Sequence, residues 1–516
     1  IDRSGPDPDK AGVALIMEDP EKRQGASLWI AFSGTLLCFL IQLVLQIRNI
    51  NQPLFEGYIG RQIPTAMVAR DLVRNQSFFF PQLQTGPFPN YFLVEPPVYA
   101  ALVAILHTIT GQGLESSGRL ISLLGMILSS AAVWLLTRRC IGPSWGWIAA
   151  LIFLSFPVSI RYGRALQPDS FAIGLTFLGI ALSTESEKTA IRLFGFILSA
   201  LGIAAKVTLF PLYLIVPLWN QQLRHKSEFA TWQLLKPLFL LFPAALWYGW
   251  VFFLKFGTKG QAIGQSEDGF SQWFRMIGPL GMLDSGALQE IVTNSLLRAY
   301  SPFATVILLF VVFKLRNQHS IRGLFLVNLL WLCVVGAKAH HGYYWLVPAP
   351  SVAILLTLGL HEISGYRPLV GLIPVVLCLL GLFQSRNTWQ TPPEWQPLLN
   401  IPESIRNPLM RDPESPVVSH EAVIYAVNHI GLRWEYPIKA QQRAASVWGV
   451  KLAGESPAEL LQLYRNRGAR WFLALETDPN WPDFQKTVDR ILTPEAVVAQ
   501  GNGLILYTLD PKSTRQ

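Results

Sequence analysis

Between Ala26 and Ile47 the chain reads ASLWIAFSGTLLCFLIQLVLQI, with no charged side chain anywhere in the run. As a helix rising about 1.5 Å per residue, it is long enough to cross the roughly 30 Å hydrocarbon core of a bilayer. Similar runs recur as far as residue 383. A chain built this way has few options other than a bundle of helices solvated by lipid. Composition agrees: only 15% of the 516 residues are charged and 51% are hydrophobic, against about 25% charged in soluble domains. Seventeen Trp and thirty Phe supply the amphipathic and apolar rings that collect at and within membranes. The net charge of +9 does not indicate a nucleic-acid partner, because Lys and Arg lie in short clusters between apolar runs, where they orient a membrane protein.

The positive-inside rule sets the topology. The run 118–137 ends in Arg138-Arg139, so that end is read as cytoplasmic, as is the polar tail 1–25 with Lys22-Arg23. The tail does not resemble a cleavable signal peptide. Residues 48–117 then form a wholly external first loop. Its apolar stretch 96–111, opened by Pro96-Pro97, is too short to cross and reads as a juxtamembrane helix. Further spans follow near 144–160, 169–184, 190–205, 207–219, 237–254, 298–313, 321–336, 344–360 and 368–383, about eleven in all. The linkers 185–192, 221–236 and 314–322 fall inside. The linkers 161–168, the turn at Lys206, 255–297 and 337–343 fall outside.

Past Gln384 the composition changes. Pro392, Pro393, Pro397, Pro402 and Pro408 suggest a stiff linker over 385–414. Residues 415–516 read as a small soluble α/β domain on the external side. Strands are expected at Val417–Val423, Arg470–Leu475 and Gly503–Leu509, and helices at Ser456–Asn466 and Asp483–Leu492. The four cysteines, Cys38, Cys140, Cys333 and Cys378, have neither metal-site spacing nor a disulfide pattern.

Charges at a membrane rim are costly and so mark candidate sites. Glu56 in PLFEGYIGRQIPTA, with Arg61 and Gln62 following, reads as a general base oriented by an arginine, or equally as a surface ion pair. Glu95 before Pro96-Pro97 suits an acceptor or metal contact, or simply a helix-start carboxylate. Arg164 and Asp169 occupy SIRYGRALQPDSFA, where Asp169 also fits helix capping. Lys206 between two apolar runs calls for an anionic partner or a route to the interface. Lys338, His340, His341, Tyr343 and Tyr344 in AKAHHGYYWLVP suit phosphate, sugar or metal, or an interfacial aromatic belt. No Walker A, GxSxG, HExxH or CxxC motif occurs, so ATP-driven transport has no engine here.

Taken in order, these segments resemble the GT-C superfamily of membrane glycosyltransferases, near the protein O-mannosyltransferases and the lipid A aminoarabinose transferase. The resemblance rests on Phe55-Glu56 through Arg61-Gln62, Glu95-Pro96-Pro97-Val98-Tyr99, and Gly118-Arg119-Leu120 leading to Thr137-Arg138-Arg139. It continues through Arg164 to Asp169, Lys206, and HHGYYWLVPAPSVAILL. It spans about 26–384, with Glu56 standing where the family usually has Asp.

The resemblance implies transfer of a sugar from a polyprenyl-phosphate donor to a lipid, glycan or protein acceptor, with inversion, outside the bacterial inner membrane. Glu56 would be the base, with Asp169 completing an acidic pair or binding a divalent metal, an option left open. Lys206, Arg61, Arg164, His340, His341 and Tyr344 would bind the donor phosphate, and Glu95, Lys338 and Tyr343 would contact acceptor or metal. The rival readings are a flippase for lipid-linked sugars and a non-catalytic scaffold. A flippase would need polar residues deep in several spans, and the mid-span regions here carry almost no charge.

Overall fold

A computed structural model describes residues 20–56, 59–86, 88–186, 188–216, 236–257, 278, 285–314, 319–364, 368–433, 457–479 and 481–510. Four described helical segments are long and apolar enough to cross a membrane: Ser27–Arg48, Leu114–Ile141, Pro237–Leu254 and Gly323–His340. Shorter apolar helices occupy Val98–Thr110, Pro143–Ser155, Pro168–Thr184, Thr189–Ala205, Ala349–Ser364 and Leu372–Gln384. Large apolar side chains point away from the bundle, among them Leu37, Val44, Ile127, Phe194, Phe253, Val306 and Phe313. Such a surface is unfavourable in water and ordinary in lipid.

Several expected runs are broken. Pro157 ends the helix Pro143–Ser155 and restarts it as Pro157–Tyr162, since proline cannot donate its turn's hydrogen bond. Residues 207–219, expected as one span, begin instead as a 3-10 turn Val207–Leu209 and a short helix Phe210–Tyr213. Their end, 217–219, lies outside the described residues, as do most of linkers 221–236 and 255–297.

Close helix approach fixes the part of the bundle that matters for function. A Cβ on Gly125 would lie 2.4 Å from the Ser170 carbonyl oxygen, and one on Gly202 would lie 2.6 Å from that of Ala172. Small residues thus let Leu114–Ile141 and Thr189–Ala205 press on Pro168–Glu185 from both sides. The N-terminus of Pro168–Glu185, carrying Asp169, is thereby held beside the C-terminus of Thr189–Ala205, where the backbone turns extended at Lys206.

The first loop is ordered by two helices, Ile59–Asn75 and Val98–Thr110, packed on each other. The second covers most of the apolar stretch 96–111. Beyond the bundle, the segment read as a stiff linker holds 3-10 turns and a helix, Glu403–Arg411, which buries Ile405 and Leu409. The expected strand Val417–Val423 stops at Ser419. There His420 caps a helix, Glu421–Val427, by accepting from the Ala422 amide at 3.1 Å, which favours helix over further strand. Strands Gly431–Arg433 and Val497–Gly501 were not expected, and both lie in one six-stranded sheet.

The strands are β1 (Thr85–Gly86), β2 (Val417–Ser419), β3 (Gly431–Arg433), β4 (Trp471–Leu475), β5 (Val497–Gly501) and β6 (Leu504–Thr508), ordered β1-β3-β2-β4-β6-β5. The first four neighbours pair parallel, and β6 and β5 complete the edge antiparallel. β1 belongs to the first loop, so the α/β unit and the loop share a sheet. They also share a core: Ile63, Met67 and Val103 belong to one apolar cluster with Ile405, Val417 and Ile424. Arg70 reinforces the joint, donating to the Tyr425 carbonyl at 3.1 Å and lying 3.9 Å from its ring centre.

Candidate functional site

Two polar compartments lie side by side where the first loop meets the helix ends. The first is a cavity of about 110 Å³ lined by Arg61, Glu95, Lys206, Lys338, Tyr343 and Tyr344, with Val94, Val207, Thr208 and Tyr248. Arg61, in the first turn of Ile59–Asn75, donates to Glu95 Oε1. Lys206, 7% exposed, donates to Asp169 Oδ1, while Asp169 Oδ2 is buried with no hydrogen-bond partner among the described residues. The ammonium also lies 5.1 Å and 4.5 Å from the ring centres of Tyr343 and Tyr344, a cation–π arrangement that holds it at the cavity wall. Tyr248 closes another side by donating to the Val94 carbonyl at 3.2 Å.

The cavity is cationic on balance. Three cations line it, against the carboxylate of Glu95, with that of Asp169 behind Lys206. Burial pushes the Glu95 carboxyl above its usual range, an effect partly offset by Arg61 and Lys206. Such a wall suits a phosphate group.

The second compartment, about 240 Å³, is lined by Glu56, Gln62, Arg161, Tyr162, Ala165, Asn387 and Thr388. Glu56 is 4% exposed. Its Oε1 lies 3.5 Å from Arg119 Nη2 and its Oε2 lies 3.4 Å from Arg164 Nη1. Both guanidiniums are fully buried and also hold the loop before Glu56. Arg119 donates to the carbonyls of Ile50, Gln52 and Pro53, and Arg164 to that of Asn49 and to Gln52 Oε1. The carboxylate is therefore anchored from behind while lining open space.

The compartments share a wall. Arg61 lines one and its neighbour Gln62 the other, because successive helical residues point about 100° apart. Tyr162 of the second compartment packs edge-to-face on Tyr343 of the first, with ring centres 6.3 Å apart.

Of the residues singled out in the sequence, the structure brings Arg61, Glu95, Lys206, Lys338, Tyr343 and Tyr344 to one cavity, with Asp169 behind Lys206. Arg61 does not orient Glu56; its partner is Glu95, and Glu56 belongs to Arg119 and Arg164. Arg164 lies against Glu56 and does not line the cationic cavity. His340 and His341 do not line it either. His340 Nδ1 lies 2.8 Å from the Ala337 carbonyl oxygen, and the His341 ring stacks on those of Tyr343 and Tyr344 at 5.5 and 6.4 Å. Burial, with His340 and nearby Lys338, Lys206 and Arg61, keeps His341 well below its ordinary pKa, so it is neutral. Among the described residues no group of three or more His, Cys, Asp or Glu side chains is placed to hold a metal ion.

Arg119, Tyr248, Arg161 and Thr388 were not among the candidates. The signal for Arg119 was available, an arginine just inside the apolar run 118–137. The others are visible only once distant segments meet.

Residues 94–248 match the family of dolichyl-phosphate-mannose-protein mannosyltransferases. No curated protein matches by sequence. Among solved structures, ArnT from Cupriavidus metallidurans bound to undecaprenyl phosphate is similar at 12% identity and a TM-score of 0.61, covering 93% of this chain and 99% of that one. The same protein in its apo state gives 11%, 0.60 and the same coverage. The apo oligosaccharyltransferase of Archaeoglobus fulgidus gives 13% and 0.50, covering 86% of this chain and 69% of that one. The resemblance stated from the sequence is supported by the family match over residues 94–248, and the chain shares its fold with these solved proteins.

Proposed function

We propose that this protein is a multi-pass membrane glycosyltransferase that moves a sugar from a polyprenyl-phosphate carrier to an acceptor hydroxyl on the external face of the inner membrane. The observation that carries this reading is the convergence of Arg61, Lys206 and Lys338 on one small cavity beside a separate compartment containing a buried carboxylate. The family match and the likeness to a protein solved with undecaprenyl phosphate support a lipid-phosphate donor.

In this reading the donor phosphate sits among Arg61, Lys206 and Lys338, and its prenyl chain leaves toward lipid. As the bond from the sugar C1 to the phosphate oxygen breaks, its electron pair stays on the phosphate, adding one negative charge. The three cations stabilise that charge where it develops. Glu56 accepts the proton of the acceptor hydroxyl as the oxygen bonds to C1 from the opposite side, giving inversion. Arg119 and Arg164 fix the direction of its oxygens. Asp169 keeps Lys206 aligned. The orientation follows the positive-inside rule, with the N-terminus cytoplasmic and both compartments and the α/β unit external.

The test is sugar release and transfer from polyprenyl-phosphate sugars by the full chain in lipid nanodiscs. Wild type consumes donor, Lys206→Ala loses donor affinity, and Glu56→Gln loses transfer. A protein that consumes none of the donors, or that carries intact donor across a sealed vesicle, is not this enzyme.

A further inference from the structure

The acceptor's chemistry can be narrowed from the compartment beside Glu56, an inference that rests on the glycosyltransferase reading. Thr388, 7% exposed, lines this compartment, and its Oγ1 is buried without a hydrogen-bond partner among the described residues. An unpaired buried hydroxyl costs free energy, and one lining a pocket is ready for a ligand's polar group. Around it stand Asn387, Arg161, Tyr162, Ala165 and Gln62, whose Oε1 accepts from the Leu166 amide at 2.9 Å. Polar residues therefore border the space on several sides.

We propose that this compartment receives one sugar ring of a glycan acceptor, with Glu56 on the reacting hydroxyl and Thr388 on a neighbouring one. A phosphomonoester acceptor fits poorly: its oxygen is already a nucleophile that needs no base. A serine or threonine of a peptide fits poorly as well. Its side chain brings the one hydroxyl that Glu56 needs, whereas a ring carries a vicinal second hydroxyl that can meet Thr388. In the transfer, the sugar hydroxyl gives its proton to Glu56 and its oxygen bonds to the donor C1. The C1–O–phosphate bond breaks, and polyprenyl phosphate leaves with the electron pair.

The experiment offers the full chain in nanodiscs a panel of polyprenyl-phosphate hexoses and three acceptors: a methyl hexoside, a Ser/Thr-containing peptide, and a lipid phosphomonoester. Products are read by mass spectrometry. Glycosylation of the hexoside in preference to the other two is expected. Thr388→Val should raise its KM about tenfold with a much smaller effect on kcat, as loss of one hydrogen bond from a matched polar site does, and Thr388→Ser should restore it. Modification of the peptide or the phosphomonoester at a comparable rate overturns the inference and leaves the glycosyltransferase reading standing. So does an unchanged hexoside KM in Thr388→Val. Failure to consume any donor, even by hydrolysis, overturns that reading and the inference with it.

Discussion

Asp169 and Lys206 face each other across the ends of two packed helices, and their ion pair is almost completely buried. Burying an ion pair contributes little net stability, but removing one member leaves an uncompensated charge, at a cost of about 3–5 kcal/mol. Asp169→Ala and Lys206→Ala should each lower the melting temperature in detergent. The double variant Asp169→Leu/Lys206→Met should melt near wild type while remaining inactive. If the double variant is no more stable than the singles, the pair is not coupled as described.

Glu56→Gln removes the proton acceptor while keeping the side chain's shape. Transfer should fall about 10²- to 10⁴-fold, the usual contribution of a positioned base, with little change in donor KM. Glu56→Asp should retain more activity than Glu56→Gln, because the carboxylate is kept but drawn back toward Arg119 and Arg164. Steady-state kinetics on both variants would decide it; equal losses would mean that the charge is not used as a base.

The raised pKa of Glu95 has a consequence for donor binding. On acidification Glu95 takes up a proton earlier than an ordinary glutamate, and Arg61 is released from its partner with its charge intact. Donor affinity should therefore rise as pH falls toward and just above the usual carboxylate range, and Glu95→Gln should bind donor tightly with that pH dependence lost. A binding titration with polyprenyl phosphate at several pH values measures this. A Glu95→Gln variant that keeps the wild-type pH profile would contradict it.

Arg70 touches neither compartment but ties the helix bearing Arg61 to the α/β unit, donating to Gln84 Oε1 at 2.8 Å and to the Tyr425 carbonyl at 3.1 Å. Arg70→Ala should cost about 1–3 kcal/mol through unsatisfied partners and reduce kcat. The melting curve and activity should decline together, and activity loss without destabilisation would argue for direct contact with substrate.

Much of this architecture is legible in the sequence. The run 118–137 sits within the single helix Leu114–Ile141, and Pro168-Asp169 opens a helix, although Asp169 pairs with Lys206 and does not cap that helix. Lys206 falls in the turn between apolar runs, because a lone cation there has nowhere else to go. The partner of Glu56 was misread for a physical reason. Nearness in sequence favoured Arg61, whereas the real partners, Arg119 and Arg164, are 63 and 108 residues away. Such long-range pairings leave no periodic trace. The two-residue strand Thr85–Gly86 was equally invisible, since only the neighbouring Gly431–Arg433 makes it a strand.

That short pairing also bears on biosynthesis. Thr85 and Gly86 meet Gly431 and Leu432, and Arg70 meets a residue 355 positions later. The loop that carries Glu56, Arg61 and Glu95 thus waits for the last part of the chain before it gains its final support. A chain truncated after the hydrophobic segments would therefore lack the strand pairing and the Arg70 contact that brace the loop bearing Glu56, Arg61 and Glu95.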